Sequence, residues 1–192
     1  MGRQAAETHL IGRNVALRPI APSDYEFLRT AELSEDLGPR WRLRGATPSP
    51  EVYAQTLWAG VTAQFAVVDR RSPTPLGVVA LYNADHKHGT GWFAVADLSP
   101  GAGSTRVVQG AAIFLSYVFS TWNLRKLYVE ASSFNLEQFK RVAGRLLVEE
   151  GRLHDHFFYA GQFWDLHHLA IYRDTWCQWE QRILPALLPR TD

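Results

Sequence analysis

Hydrophobic and polar positions change their period several times along the chain, and each change marks an element. Val15 and Leu17 alternate with polar neighbours up to Pro19, which predicts a first strand closed by a turn. Pro22, Ser23 and Asp24 open a helix carrying Tyr25, Phe27, Leu28, Ala31 and Leu33. Gly38 to Pro50, rich in Arg, Gly and Pro, reads as an irregular loop. Ser49 then caps, and Pro50 starts, a second helix to about Gly60, with Val52, Tyr53 and Leu57 along one side. From Gln64 the period shortens. Phe65 to Asp69, Leu76 to Asn83 and Trp92 to Leu98 read as a meander of strands, joined by turns at Arg70 to Pro75 and His86 to Gly91.

The longest stripe at helical spacing follows. Gly103 to Trp122 carries Val107, Ala111, Leu115, Val118 and Trp122, widened by Val108, Ala112 and Phe119, which predicts a helix buried on most sides. Lys126 to Ala131, with Leu127 and Val129 inward, is a strand expected to pair parallel after this crossover. Phe134 and Asn135 begin another helix to about Arg145. Leu147 to Tyr159 and Phe163 to Tyr172 form a hairpin about Ala160 and Gly161, and Trp176 to Leu188 closes the chain as a helix containing Pro185. No repeat, low-complexity tract or linker interrupts this order. Residues 1–192 are therefore expected to form a single α+β domain on a mainly antiparallel sheet.

Composition narrows the partners. Lys plus Arg number 20 against 19 Asp plus Glu, a formal net charge of +1, so the basic footprint of a nucleic-acid binder is missing. No apolar run is long enough to span a membrane, and Met1 to His9 lacks the apolar segment of a signal peptide. One cysteine, Cys177, permits no internal disulfide and fits a reducing compartment, so a cytoplasmic protein is expected. Seven Trp, seven Tyr and ten Phe suit a large core, a ligand pocket or a subunit contact, which leaves a homodimer open.

The stretch Gly101, Ala102, Gly103, Ser104, Thr105, Arg106 joins the meander to the long helix. A Gly-rich turn at a helix start leaves backbone N–H groups pointing at one spot, where the helix dipole favours an anion. Its first turn carries Arg106 and no acid, so an external phosphate is one reading and a Ser104-capped connection the other.

The element order, with Leu10 to Pro19 and Asp24 at the start and Asn135, Glu149, Glu150, Gly151, Tyr159, Gly161, Asp165, Arg173, Asp174 and Trp176 toward the end, resembles the GNAT superfamily of N-acetyltransferases. Within it, the pattern is most similar to the RimJ/RimL-like branch of ribosomal-protein-alanine acetyltransferases. The resemblance implies a mixed, mainly antiparallel central sheet, flanked by helices and splayed between its fourth and fifth strands to receive the pantetheine arm of acetyl-CoA. Backbone groups of Phe93, Val95 and Ala96 would pair with that arm. Gly101, Gly103, Ser104, Thr105 and Arg106 would hold the pyrophosphate, and Asn135 would bond the cofactor beyond the gap. Acetyl-CoA or another acyl-CoA is thus the implied donor. Some positions depart from the family pattern. Thr105 and Val107 stand where small residues are usual in the loop, and side chains there obstruct a close approach to phosphates. Gln138 and Val142 fall where the branch and the wider superfamily place a hydroxyl acid, Leu146 and Leu147 replace a Gly-Phe pair, and Leu169 replaces a tyrosine.

The reaction also needs a base for the acceptor amine, for which His88, in the run Asp85, His86, Lys87, His88, and Tyr82 are the candidates. In the hairpin, a two-residue turn at Ala160 and Gly161 sets His156 opposite Asp165 and His154 opposite His167, all on one face. That cluster suits a structural or dimer-facing pair, an acid-base or substrate site, or a metal; the structural pair is preferred and no metal is expected. The alternation of Arg40, Arg42 and Arg44 suits an acidic acceptor or a solvated loop. The leading expectation is an N-acyltransferase in which a small-molecule or peptide amine attacks the CoA thioester directly. The alternatives are a degenerate module that binds a ligand or protein without acetylation, and an acyltransferase whose donor is an acyl carrier protein.

Overall fold

Strand β1 (Val15–Pro19) pairs antiparallel with β2 (Val61–Asp69), setting Val15 opposite Asp69 and Pro19 opposite Phe65. These coordinates come from a computed structural model that describes residues 10–35, 37–39, 41–98, 104–139 and 144–189. Beyond Pro19 the chain turns through a short 3-10 segment, Pro22–Asp24, into helix α1 (Tyr25–Glu32). Asp24 fixes that corner: it accepts bonds from Arg18 at 2.8 and 2.9 Å and from the Ala21 N–H at 2.8 Å. The Arg18 bond is the main reason that its carboxyl lies below the usual carboxylate range. Helix α2 (Pro50–Thr56) starts as expected, with the Ser49 hydroxyl accepting the Val52 N–H.

The meander continues with β3 (Pro75–Asp85) and β4 (Thr90–Asp97), after which α3 (Ser104–Thr121) crosses over to β5 (Lys126–Ser132). Strands β6 (Val148–Tyr159) and β7 (Gln162–Tyr172) form the hairpin, and α4 (Arg173–Leu187) follows. The seven strands lie in the order β1-β2-β3-β4-β5-β7-β6. Neighbours are antiparallel except β4 and β5, which pair parallel as a helical crossover requires. The expected mixed, mainly antiparallel sheet flanked by helices is therefore present.

Some boundaries differ from the expectations. Strand β2 begins at Val61, because Val61 and Ala63 find partners in Tyr82 and Leu81 across a bulge. Of the helix expected from Phe134 to about Arg145, residues 140–143 lie outside the described ones, and Ser133–Phe139 is a 3-10 helix. The last helix starts at Arg173, directly after β7.

Helices α3 and α4 cover one face of the sheet. Val67, Leu81, Phe93 and Leu127 meet Phe114 and Val118 of α3 and Trp176 of α4 there. On the other face Ala66, Val68 and Val78 pack against Leu28 of α1, Tyr53 of α2 and Leu57. Helix α3 lies so close to β2 that a Cβ on Gly110 would stand 2.6 Å from Val67 Cγ1. At its other end Arg173 donates to the carbonyl oxygens of Leu124, Phe119 and Trp122 at 2.7, 2.5 and 2.6 Å, capping the helix C-terminus. No helix among the described residues is long and apolar enough to cross a membrane.

Candidate active site at the β4–β5 splay

Strands β4 and β5 pair at only three positions, Thr90 with Lys126, Gly91 with Leu127 and Trp92 with Tyr128. Beyond Trp92 each strand follows its other neighbour. Strand β4 stays paired with β3 out to Gly77 and Asp97, and β5 stays paired with β7 out to Ser132 and Leu166. The facing edges from Phe93 and from Val129 onward thus diverge, leaving strand backbone groups directed into a gap. A cavity of about 350 Å³ fills it, bordered by Ala94 and Val95 on β4, Glu130 and Ser132 on β5, Tyr82 on β3, and Asn135.

Among the described residues, Glu130 is the acidic side chain on this wall. It lies opposite His168 in the β5–β7 register, its Oε1 is 3.9 Å from His168 Nε2, and its side chain is 29% exposed. His168 packs its ring edge on Trp92 at 5.4 Å. Tyr82 shares the cavity, and burial first, then the negative charge of Glu130, pushes its phenol up to about 12. A phenol so shifted keeps its proton at neutral pH, so Tyr82 is a hydrogen-bond donor here and a poor base.

The segment before α2 closes the cavity from above. Arg42 is engaged on every side: Nε lies 3.3 Å from the wholly buried Glu32, Nη1 donates to the Leu57 carbonyl at 3.1 Å, and Nη2 reaches Gln64 at 3.5 Å. Burial raises the Glu32 carboxyl against the pull of that guanidinium. Arg44 stands over the mouth with Nη2 3.7 Å from Glu130 Oε2.

No protein-family model and no curated protein matches this sequence. Solved structures do match in shape. A probable GNAT-family acetyltransferase from Chromobacterium violaceum superposes with a TM-score of 0.69 at 18% identity, covering 88% of this chain and 87% of that one. The spermidine N-acetyltransferase of Vibrio cholerae, in complex with CoA and spermine, gives 0.66 at 19% identity over 85% of this chain and 98% of that one. The same enzyme in complex with manganese ions gives 0.65 at 23% identity, over 88% and 97%. The chain has the GNAT fold.

Within the GNAT fold, the residues expected around a donor divide into those at the gap and those away from it. Phe93, Val95 and Asn135 line the cavity. Ala96 is buried opposite Val78 of β3 and is not on the lining. Gly101 and Gly103 lie outside the described residues, and Ser104 and Gln138 are described by backbone alone, as the first residue of α3 and within the 3-10 helix. Thr105 is exposed. Val107, expected to obstruct the loop, is instead 3% exposed, with Cγ2 only 2.8 Å from where a Gly77 Cβ would stand; the glycine on β3 makes room for it. Arg106 forms an ion pair with Asp69 at the end of β2, so the acid missing from the first turn of α3 comes from the sheet.

The proposed base His88 is not brought to the gap. Its N–H bonds Asp85 Oδ1 at 3.0 Å and its carbonyl accepts from Arg125, in the turn at the paired end of β4. The hairpin cluster also needs correction. The turn at Ala160 and Gly161 pairs Tyr159 with Gln162 and Phe157 with Trp164 as expected, but a bulge between Leu153 and Phe157 shifts the register. His167 therefore lies opposite Arg152 rather than His154, and His156 is exposed rather than facing Asp165. Asp165 instead accepts the Asp155 N–H at 2.9 Å and Arg152 Nε at 2.6 Å, with His154 Nδ1 at 3.4 Å. The Asp155 N–H, and then Arg152, hold its carboxyl down at about 2. His167 is buried, with Nε2 3.0 Å from Ser133 Oγ and Nδ1 3.1 Å from Glu149 Oε2. Among the described residues no three His, Cys, Asp or Glu side chains converge as a metal would need.

Sequence reasoning missed Glu130. The available signal was an acid within a strand already expected to border the gap, on the face left by inward Leu127 and Val129.

Proposed function

We propose that this protein is a CoA-dependent N-acyltransferase of the RimJ/RimL-like branch that moves an acetyl or other acyl group to an amine by direct attack. The observation that carries the proposal is the short β4–β5 pairing, which leaves an unpaired strand edge beside a cavity walled by Glu130 and Asn135. An amide-bearing pantetheine arm lies against such an edge as an added strand would. The branch assignment rests on the residue pattern from Leu10 to Pro19 and from Asn135 to Trp176. The Vibrio cholerae enzyme of the same fold, known with CoA and spermine, supports the pairing of a CoA donor with an amine acceptor.

Glu130 takes the proton from the acceptor ammonium, directly or through one water. The freed nitrogen lone pair attacks the thioester carbonyl; the C–S bond breaks with its electron pair going to sulfur, and the proton shed by the nitrogen as the amide forms ends on that thiolate, giving the thiol. Tyr82, protonated at neutral pH, is a donor on the same wall. Transfer assays on Glu130→Gln test this assignment. A base of this kind contributes roughly 100- to 10,000-fold, so kcat is expected to fall by at least about 100-fold while acetyl-CoA still binds. A fall of less than about threefold removes Glu130 from the role.

The ion pair of Arg106 with Asp69 favours a second donor, because its charge is already compensated without a pyrophosphate. Calorimetry separates the two. Acetyl-CoA binding much tighter than pantetheine supports the CoA donor; equal affinities support an acyl carrier protein; no binding of either leaves a module without transfer.

A further inference from the structure

The rim of the cavity carries an ion pair that neither partner completes. Arg44 adopts φ +49° and is followed by Gly45 at φ +87°. A non-glycine residue in the left-handed region costs about 1 kcal/mol or more, and such residues gather where a side chain must be aimed. The turn is held by Arg44 N–H to Trp41 O at 3.1 Å and Gly45 N–H to Gly38 O at 3.1 Å. Its product is a guanidinium, 64% exposed, held over Glu130 at 3.7 Å, too long for a hydrogen bond. On the far side of Glu130, His168 Nε2 is also beyond hydrogen-bond reach at 3.9 Å; it is buried and makes no hydrogen bond. Arg42 next door is the opposite case, already engaged by the Glu32 carboxylate, the Leu57 carbonyl and Gln64. Among the described residues the cation available at the mouth is therefore Arg44, and it stands directly over the carboxylate that an acceptor amine must reach.

Two opposite charges in loose contact are separated most readily by a molecule carrying both charges at similar spacing. A dication such as spermidine satisfies Glu130 but meets Arg44 as a like charge. A peptide N-terminus brings an ammonium followed by a neutral amide and leaves Arg44 without a partner. We infer that the acceptor is a free α-amino acid, its ammonium replacing Arg44 at Glu130 and its carboxylate replacing Glu130 in the Arg44 fork. The carboxylate and the planar guanidinium match in a two-bonded geometry. The neighbouring wall, Trp41, Phe139 and Phe157, gives the acceptor an apolar or aromatic side chain. This inference rests on the acyl-transfer reading of the same cavity and names the substrate class for it.

The test is a panel of apolar and aromatic α-amino acids, each measured against its own amide and against spermidine, by acetyl transfer and by calorimetry with and without CoA. The amide keeps shape and ammonium and loses only the carboxylate charge. Each acid is expected to exceed its amide by about 10- to 100-fold in kcat/KM, the value of a charged hydrogen bond. Arg44→Gln should cut that ratio by at least about 10-fold, chiefly through KM, and Arg44→Lys should keep part of it. If the amides or spermidine are acetylated in preference to the acids, the amino-acid inference is overturned while the transferase reading stands. Binding of acids over amides with no acyl transfer keeps the acceptor class and removes the transferase. Neither binding nor transfer with any of them overturns the amino-acid inference, and the acetyl-CoA calorimetry then decides the transferase reading.

Discussion

Arg173→Met is the sharpest test of how the helix behind the splay is held. Arg173 donates to three carbonyl oxygens at the end of α3, those of Phe119, Trp122 and Leu124, at 2.5 to 2.7 Å. It also lies 5.2 Å from the centre of the Phe119 ring. A hydrogen bond to a charged group contributes about 1.5–3 kcal/mol, and the match to the helix dipole adds about 0.3–1 kcal/mol. The three bonds do not sum, because the site is half-buried and water reaches part of the freed carbonyls. Methionine retains the packing of the aliphatic stem. The expected net loss is roughly 2–4 kcal/mol. With a urea m value of about 2–3 kcal/mol/M, the unfolding midpoint falls by roughly 1 M. Arg173→Lys should recover less than half of the loss, since one ammonium cannot span a fork of three acceptors. A midpoint shift equivalent to less than about 1 kcal/mol would show that water replaces the guanidinium fully and that α3 is held by its apolar face alone.

The close approach of α3 to the sheet predicts that Gly110→Ala lowers thermal stability by about 1–3 kcal/mol, although alanine gains about 1 kcal/mol in a helix, because its Cβ meets the stiff side chain of Val67. A stabilised variant in thermal unfolding would contradict that packing. In the hairpin, Asp165 is held at about 2, below its ordinary 3.8, so its contribution is complete above the ordinary value and is lost as pH falls through the lower one. Urea unfolding of Asp165→Asn and the parent should therefore differ by a constant amount from about pH 7 to pH 5 and converge between about pH 4 and pH 2. A difference that persists at the acid end would mean that the carboxylate charge is not what the hairpin uses.

The elements were legible where periodicity and turn chemistry agreed. The meander was readable because alternating apolar residues meet Gly- and Pro-bearing turns, and α3 because its apolar stripe is long. The hairpin turn was readable too: Ala160 and Gly161 take φ +53° and +79°, as a tight turn demands. The register beyond it was not. The bulge places Asp155 at φ +49°, and an aspartate in this conformation leaves no mark that distinguishes it from an ordinary strand residue. Four chemistry-bearing residues were misplaced by that single irregularity. The partner of Arg106 was out of view for a different reason: Asp69 is remote in sequence, and only the sheet brings the two together. Glu130 was overlooked because an acid in an alternating strand reads as a solvated position until the strand is known to border a cavity.

The short seam between β4 and β5 has a mechanical consequence as well. On one side lies a leaf of four strands, on the other a leaf of three, and each is knit internally by antiparallel pairing. The backbone joins the leaves by three pairs, backed by the crossing helix, which Arg173 bolts at one end, and by side-chain contacts such as Trp92 with His168. The line of the sheet with the fewest backbone pairs thus coincides with the edge proposed for the pantetheine arm. On that proposal the arm serves as the rungs that the polypeptide omits, and its binding energy passes to the fold as cohesion between the two leaves.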